Sequence, residues 1–190
     1  IENAIDAKAS SITLEIDQSG LSKIAIYDNG IGMSKEDLLL CFKPHTTSKI
    51  NSEEDLLSVK SLGFRGEALS SIVSISDVSI QSKQKNSSPG TKITLSASKL
   101  TNTTSVGMSV GTQVVVENLF RFVPTRKKFL KHERTEYRHI LDTVVNFALS
   151  YPFLEIKFVH NNKEIFHFTK NTTFEQRLKS LLGEYISANL

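Results

Sequence analysis

Two glycine-flanked stretches carry the residue types that handle phosphate and a flat polar ring. Gly63-Phe64-Arg65-Gly66-Glu67-Ala68-Leu69 sets two glycines around a Phe-Arg pair, directly before the helical run Ala68-Leu69-Ser70-Ser71-Ile72-Val73. Glycines leave backbone N–H groups uncovered, and a helix N-terminus adds partial positive charge, so the stretch forms a cradle for anionic oxygens. Asp28-Asn29-Gly30-Ile31-Gly32 ends an apolar strand with a carboxylate that can accept a hydrogen bond from an exocyclic amine. Gly30 and Gly32 would let a flat ring approach the backbone; a plain Asp-Asn-Gly turn fits the same residues. Together the stretches point to a nucleoside triphosphate. No GxxxxGK(S/T) occurs, so the cradle is not a Walker A loop.

Two weaker groups accompany them. Asn3 and Asp6 share a face of an opening helix. An Asn side-chain carbonyl is a credible single protein ligand for Mg2+, which takes most of its octahedral oxygen ligands from phosphate and water. A polar helix surface is the alternative. Thr46-Thr47-Ser48-Lys49 supplies hydroxyls and an ammonium on a polar stretch that reads equally as a solvated loop.

The elements that must position these residues follow from periodicity. Ile1, Ala4, Ile5 and Lys8 form one helical stripe with no capping residue before it, so the helix is expected to begin upstream of Ile1. Ile12, Leu14 and Ile16 alternate with polar residues, Ser19-Gly20 turns the chain, and Ile24 to Tyr27 returns it to Asp28 as a hairpin. Ser34 N-caps a short helix through Cys41, with Asp37 three residues on. Residues 43–61 are polar and weakly periodic, as in a functional lid or a disordered segment. Strands are expected at about 75–84, 90–97 and 111–118, with 101–107 a small polar connection. Pro124 marks a break. A helix follows over about 133–151, then a hairpin about Asn161-Asn162, then a helix over 174–182. The sum is an α+β protein: a two-layer sandwich of a mixed, mostly antiparallel sheet with helices on one face.

Composition narrows the class. The chain has 190 residues, 39% apolar and 23% charged, enough for one well-buried core. Its one cysteine, Cys41, excludes an internal disulfide and a cysteine-based zinc site, and lies in an apolar run as a buried structural thiol. No apolar run approaches the ~20 residues of a bilayer span, and no signal peptide is visible, so no membrane partner and an intracellular, reducing compartment are expected. The net charge is +3, yet seven basic residues at 121, 126, 127, 128, 131, 134 and 138 stand against only Glu133 and Glu136. That segment is an anion-facing patch or a solvated helix face.

In their order, the motifs resemble a known family. Glu2-Asn3-Ala4-Ile5-Asp6-Ala7, Asp28-Asn29-Gly30-Ile31-Gly32-Met33, His45-Thr46-Thr47-Ser48-Lys49-Ile50, the 63–69 stretch and Gly111-Thr112-Gln113-Val114 look like the nucleotide-binding motifs of the MutL mismatch-repair proteins. These belong with gyrase B, histidine kinases and the ninety-kilodalton heat-shock chaperones, the GHKL-type ATPases. Leu119-Phe120 with Pro124 and Arg126-Lys127-Lys128-Phe129-Leu130 is similar to a feature of the MutL branch alone. The resemblance implies ATP and Mg2+ as cofactors. Asn3 would ligand Mg2+, Asp28 would accept from the adenine amine with Thr112 supporting through water, and Ala7, Gly32 and Met33 would line the base pocket. Ser48, Lys49 and the backbone of Gly63, Phe64, Arg65, Gly66, Glu67, Ala68 and Leu69 would hold the phosphates. Arg65 and Glu67 could equally pair with one another. Arg126, Lys127, Lys128 and Lys131 would meet DNA phosphates without reading sequence. Partners implied are DNA, a second copy or paralogue through ATP-driven N-terminal dimerisation, and a MutS-type mismatch-recognition protein. The setting would be cytoplasmic in a bacterium and nuclear in a eukaryote.

The chain departs from the family in three places. The general-base Glu would lie four residues before Asn3, ahead of Ile1; Glu2 points about 100° away around a helix and is not assigned that role. Phe122-Val123-Pro124-Thr125-Arg126 stands where the family reads Asn-Thr-Pro-Ala-Arg. Residues 1–170 are expected to be the ATP-binding domain, and 171–190 the start of a second, ribosomal-protein-like domain without its γ-phosphate lysine. Two functions follow: the ATPase module of a mismatch-repair protein, or an ATP-gated DNA or protein clamp that binds nucleotide without hydrolysing it.

Overall fold

Alternation of apolar and polar residues builds the centre of the sheet. In β1 (Ser11–Asp17) Ile12, Leu14 and Ile16 are buried while the residues between them are not. A 3-10 turn at Gln18–Gly20 reverses the chain into β2 (Lys23–Asp28), which pairs antiparallel with Ile12 opposite Asp28. The structure is a computed structural model that describes residues 1–44 and 67–189, and for 184–189 the backbone alone.

Before β1 lies α1 (Glu2–Asp6), with Ala4 buried and Ile1 and Ile5 packed beside it. It ends one turn earlier than its stripe suggests, because Lys8 takes φ 58° and leaves the helix. After β2 comes α2 (Lys35–Leu40), capped by Ser34, whose Oγ accepts from Asp37 N at 3.0 Å. The helix α3 (Ala68–Ile75) follows, then β3 (Asp77–Lys83), β4 (Gly90–Ser96), β5 (Lys99–Val106) and β6 (Gly111–Glu117). A one-turn α4 (Pro124–Lys127) starts at the expected break, where proline suits the first helical position. The long α5 (Glu133–Ser150), β7 (Glu155–His160), β8 (Lys163–Phe168) and α6 (Phe174–Asn189) complete the chain.

The strands form one sheet in the order β5-β4-β3-β6-β2-β1-β7-β8, antiparallel throughout except for the parallel β1–β7 pair. Register puts the main apolar series on one face: Ile12 to Ile16, the partly buried Ile24 and Ile26, Val114 and Val116, Val78 and Ile80, Ile93 and Leu95 stand in line across paired strands, while the fully buried Ala25 belongs to the other face. Helices cover that face. Around β1, β7 and β8 the core takes Leu141, Val144, Val145 and Ala148 of α5 and Leu181 of α6. Around β3, β4 and β6 it takes Leu38 of α2 and Val73 of α3. The other face carries polar residues such as Glu15, Lys23 and Tyr27. This is the expected α+β two-layer sandwich.

Two elements and the burial of Cys41 differ from the sequence reading. The 101–107 connection is strand β5, seven of whose eight residues are exposed. It pairs along β4 after a two-residue turn in which Ala97 and Ser98 both have positive φ. With no buried side it shows no alternation, and its Thr-rich composition is what a polar edge strand carries. The last helix runs on to Asn189 rather than stopping at 182. Cys41 is half-buried rather than buried; its thiol donates to Leu38 O at 3.2 Å, and burial pushes its pKa up to about 11, as suits a structural cysteine.

Candidate functional site

Asp28 is the last residue of β2, and its register neighbours are Ile12 on one side and Thr112 on the other. Thr112 in turn stands opposite Ser82 of β3. The helix-covered face therefore ends in a polar row, Asp28–Thr112–Ser82, where every row further in is apolar. Gly30 N donates to Asp28 Oδ1 at 2.9 Å. Asn29 turns away and fastens the loop: its Oδ1 accepts from Ser10 N at 2.8 Å and Ser11 N at 2.9 Å, and its Nδ2 donates to Ser10 Oγ. Ile31 N donates to Ala7 O at 3.0 Å, which brings the end of α1 against the same loop.

The glycines serve this closure. A Cβ on Gly30 would meet Ala7 O at 2.7 Å, and one on Gly32, at φ +71°, would meet Lys83 O at 2.1 Å. Their Cβ positions are taken by the protein's own backbone, not left open for a flat ring. The space for a side chain is missing because α1 and the end of β3 press on the loop from both sides.

Ser82 is the residue that motif reasoning missed. It is 2% exposed. Its Oγ accepts from Met33 N at 2.8 Å, donates to Gly111 O at 3.0 Å and lies 2.9 Å from Thr112 Oγ1. One hydroxyl thus ties together Met33, Gly111 and Thr112, three parts of the pocket wall. Its sequence signal is an inward series, Val78, Ile80, Ser82, that ends on a hydroxyl where an apolar residue was due.

Electrostatics mark Asp28 out. Burial raises its pKa above the usual carboxylate value, and backbone hydrogen bonds from Gly30 and Thr112 oppose that rise. No Lys or Arg pairs with it among the described residues. A carboxylate has about four lone-pair sites, so two backbone donors leave acceptor capacity for an incoming amine. Ala7 and Met33 are half-buried at the edge of the loop, and Asn3 is exposed on α1. Among the described residues no group of three His, Cys, Asp or Glu gathers as a metal site. That donor set fits an ion held mainly by phosphate and water with Asn3 as its protein ligand.

Of the phosphate cradle, Glu67, Ala68 and Leu69 are described; Ser48, Lys49, Gly63, Phe64, Arg65 and Gly66 lie outside the described residues. Glu67 and Ala68 are exposed at the start of α3, and no side chain caps that start. Its first-turn N–H groups are the kind of donors that receive anionic oxygens. Leu69 packs into the core beside Val73 and anchors the helix.

The basic segment divides. Arg121 is engaged, its Nη1 2.6 Å from Asp77 Oδ2, which also accepts from Asn118. Arg126, Lys127, Lys128 and Lys131 are exposed and form no ion pair among the described residues. Phe129 among them is 87% exposed. Phe122 lies under the Arg121 guanidinium, 5.7 Å from ring centroid to Cζ.

A strand-end carboxylate on a glycine-bounded loop with a buried hydroxyl row beside it, at one end of a mixed sheet, defines a class. Residues 1–118 match the family described as histidine kinase-, DNA gyrase B- and HSP90-like ATPases, and the chain belongs to that family. Within it, the chain is similar along all 190 residues to the DNA mismatch repair protein MutL of Chlorobium phaeobacteroides, at 44% identity, and of Agathobacter rectalis, at 43%. It spans 30% and 29% of the length of those relatives. Its fold is similar to the Aquifex aeolicus MutL ATPase domain complexed with ADP, with a TM-score of 0.75 and 30% identity over 96% of this chain and 65% of that one. It also resembles the N-terminal domain of a DNA repair protein, with a TM-score of 0.77 and 26% identity over 95% of this chain and 53% of that one.

Proposed function

We propose that the chain binds Mg-ATP and forms part of the ATPase module of a MutL-type mismatch-repair protein. The observation that carries this is Asp28: a half-buried carboxylate that no Lys or Arg pairs with among the described residues, held by two backbone donors and left with lone pairs for an amine. Asp28 receives the adenine amine, Thr112 acts through water, and Ala7, Gly32 and Met33 bound the base. Asn3 gives Mg2+ its protein oxygen, and the ion neutralises phosphate charge. Ser48, Lys49 and the backbone from 63 to 69 grip the phosphates, with the start of α3 behind them. No residue of this chain is assigned the role of the general base that activates the hydrolytic water. The similarity to an ADP-bound MutL ATPase domain supports this reading, and no observation favours the non-hydrolysing clamp.

Nucleotide binding then drives pairing of two N-terminal modules, on DNA held through Arg126, Lys127, Lys128 and Lys131, downstream of a MutS-type partner inside the cell. Residues from 171 begin the next domain, and their helix α6 packs Leu181 into the core of the first. Titration of Mg-ATP into the intact protein, with sedimentation and phosphate release in parallel, tests the proposal. Binding, slow turnover and nucleotide-dependent dimerisation are expected. Absence of nucleotide binding would refute it.

A further inference from the structure

The three contacts of Ser82 determine which way the Thr112 hydroxyl faces. A hydroxyl has one proton to give and two lone pairs to receive with. Ser82 Oγ has three partners: Met33 N at 2.8 Å, Gly111 O at 3.0 Å and Thr112 Oγ1 at 2.9 Å. Met33 N can only donate, so it uses one lone pair. Gly111 O can only accept, so it takes the proton. The Thr112 contact must then fill the second lone pair, which requires the Thr112 hydroxyl to donate to Ser82. The opposite polarity would leave Ser82 Oγ and Gly111 O as two facing acceptors 3.0 Å apart in a site that is 2% exposed. Only one arrangement satisfies every group.

We propose that Ser82 is a positioning residue for base recognition: by taking the Thr112 proton, it makes Thr112 an acceptor toward the base. This inference rests on the nucleotide reading of the site. Thr112 stands next to Asp28 in register, so the base meets two acceptors side by side. Asp28 suits the exocyclic amine. Thr112 cannot donate to the ring nitrogen at position 1 of adenine, which is itself an acceptor. A water that donates one proton to Thr112 and the other to that nitrogen completes the match. Ser82 thereby sets selectivity without touching the ligand.

The test compares two triphosphates that both lack the amine and differ at position 1. Inosine triphosphate carries an N–H donor there, and purine riboside triphosphate carries a bare acceptor. Their affinity ratio is measured in the intact wild-type protein, in Ser82→Ala, in Thr112→Val and in the double variant, with Asp28→Asn as control for the site itself. Repulsion between the inosine oxygen and Asp28 is common to all forms that keep Asp28 and cancels in the comparison. Ser82→Ala frees the Thr112 proton to turn toward the bridging water, which can then accept from the inosine N1–H, so its ratio shifts at least fivefold toward inosine triphosphate. On the Thr112→Val background the same substitution shifts nothing, because Ser82 acts through that hydroxyl. An unchanged ratio in Ser82→Ala, with ATP binding still weakened by Asp28→Asn, overturns the role of Ser82 and leaves the site reading standing. Unchanged ATP affinity in Asp28→Asn overturns both. Should Ser82→Ala fail to fold, Ser82→Cys keeps the volume with a weaker donor and acceptor; a shift of at least twofold in the same direction is expected, and none overturns the inference.

Discussion

Asp28 and Arg177 are both charges drawn at least partly out of water with no side chain of opposite charge paired to them among the described residues, and they end in opposite states. Arg177, on α6, is fully buried. Its Nη1 donates to Ala148 O at 2.9 Å and Tyr151 O at 3.4 Å, its Nη2 to Leu154 O at 2.9 Å and Thr169 O at 3.1 Å, and its Nε to Thr172 O at 3.3 Å. The guanidinium also lies over Phe168 at 5.4 Å. Every donor faces a backbone carbonyl, so the group gathers the end of α5, the start of β7, the end of β8 and the foot of α6. Asp28 receives two backbone donors and keeps lone pairs unfilled. The difference can be counted: a buried charge whose hydrogen bonds are saturated fastens the fold, and one whose hydrogen bonds are incomplete is built to receive something.

The comparison predicts that the two residues fail differently. Arg177→Met strands several buried carbonyls and should cost about 3–4 kcal/mol of stability by urea denaturation; a loss below about 1 kcal/mol would mean that the clasp is ornamental. Gly111→Ala comes next. Its φ is +135°, and a Cβ would sit 2.0 Å from Asp28 O, so β2 and β6 must part at the site. A stability loss of about 2 kcal/mol, together with loss of most nucleotide affinity, is expected from melting and titration on the same sample.

Asp28→Asn should separate stability from function. Nucleotide affinity falls by about 1–3 kcal/mol, while stability does not fall, because Asn Oδ1 can still accept from Gly30 N. The sign follows from burial. The carboxylate's folded pKa lies above its usual value, so ionising it costs the native state as pH rises from the usual value through the raised one. Denaturation midpoints of wild type should therefore drop relative to Asp28→Asn across that window and run parallel above it. ATP affinity moves the other way, weakening as pH falls through the raised pKa. A wild type that gains on Asp28→Asn with rising pH would make Asp28 a fastener like Arg177. The smallest effect is on the surface. Replacing Arg126, Lys127 and Lys128 with Ala should leave stability within about 0.5 kcal/mol and flatten the salt dependence of DNA binding by roughly 2–3 in the log–log slope. An unchanged slope would make the patch a solvated face.

The half of the molecule that repeats a local period was legible in advance. The β1–β2 and β7–β8 hairpins and α5 follow from alternation and helical spacing, and the Ser34 cap from a side chain three residues from its partner. Asp28 was marked by its place at a strand end before two glycines, and Thr112 only by the family resemblance. Strand β5 was not legible because it buries neither side and owes its form to the open edge of β4. Ser82 and Arg177 were not legible because most of their partners lie from 23 to 49 positions away in sequence, and only the sheet register and the packing of α6 bring them together. The glycines of the Asp28 loop were singled out for a ligand, and the structure packs their Cβ positions against Ala7 and Lys83.

The most direct measurement of the central claim is a four-way titration: wild type and Asp28→Asn, each against Mg-ATP and against purine riboside triphosphate, which lacks the amine. If the spare lone pairs of Asp28 receive that amine, removing it costs wild type about 1–2 kcal/mol and costs Asp28→Asn little. Equal costs in both proteins would contradict the account.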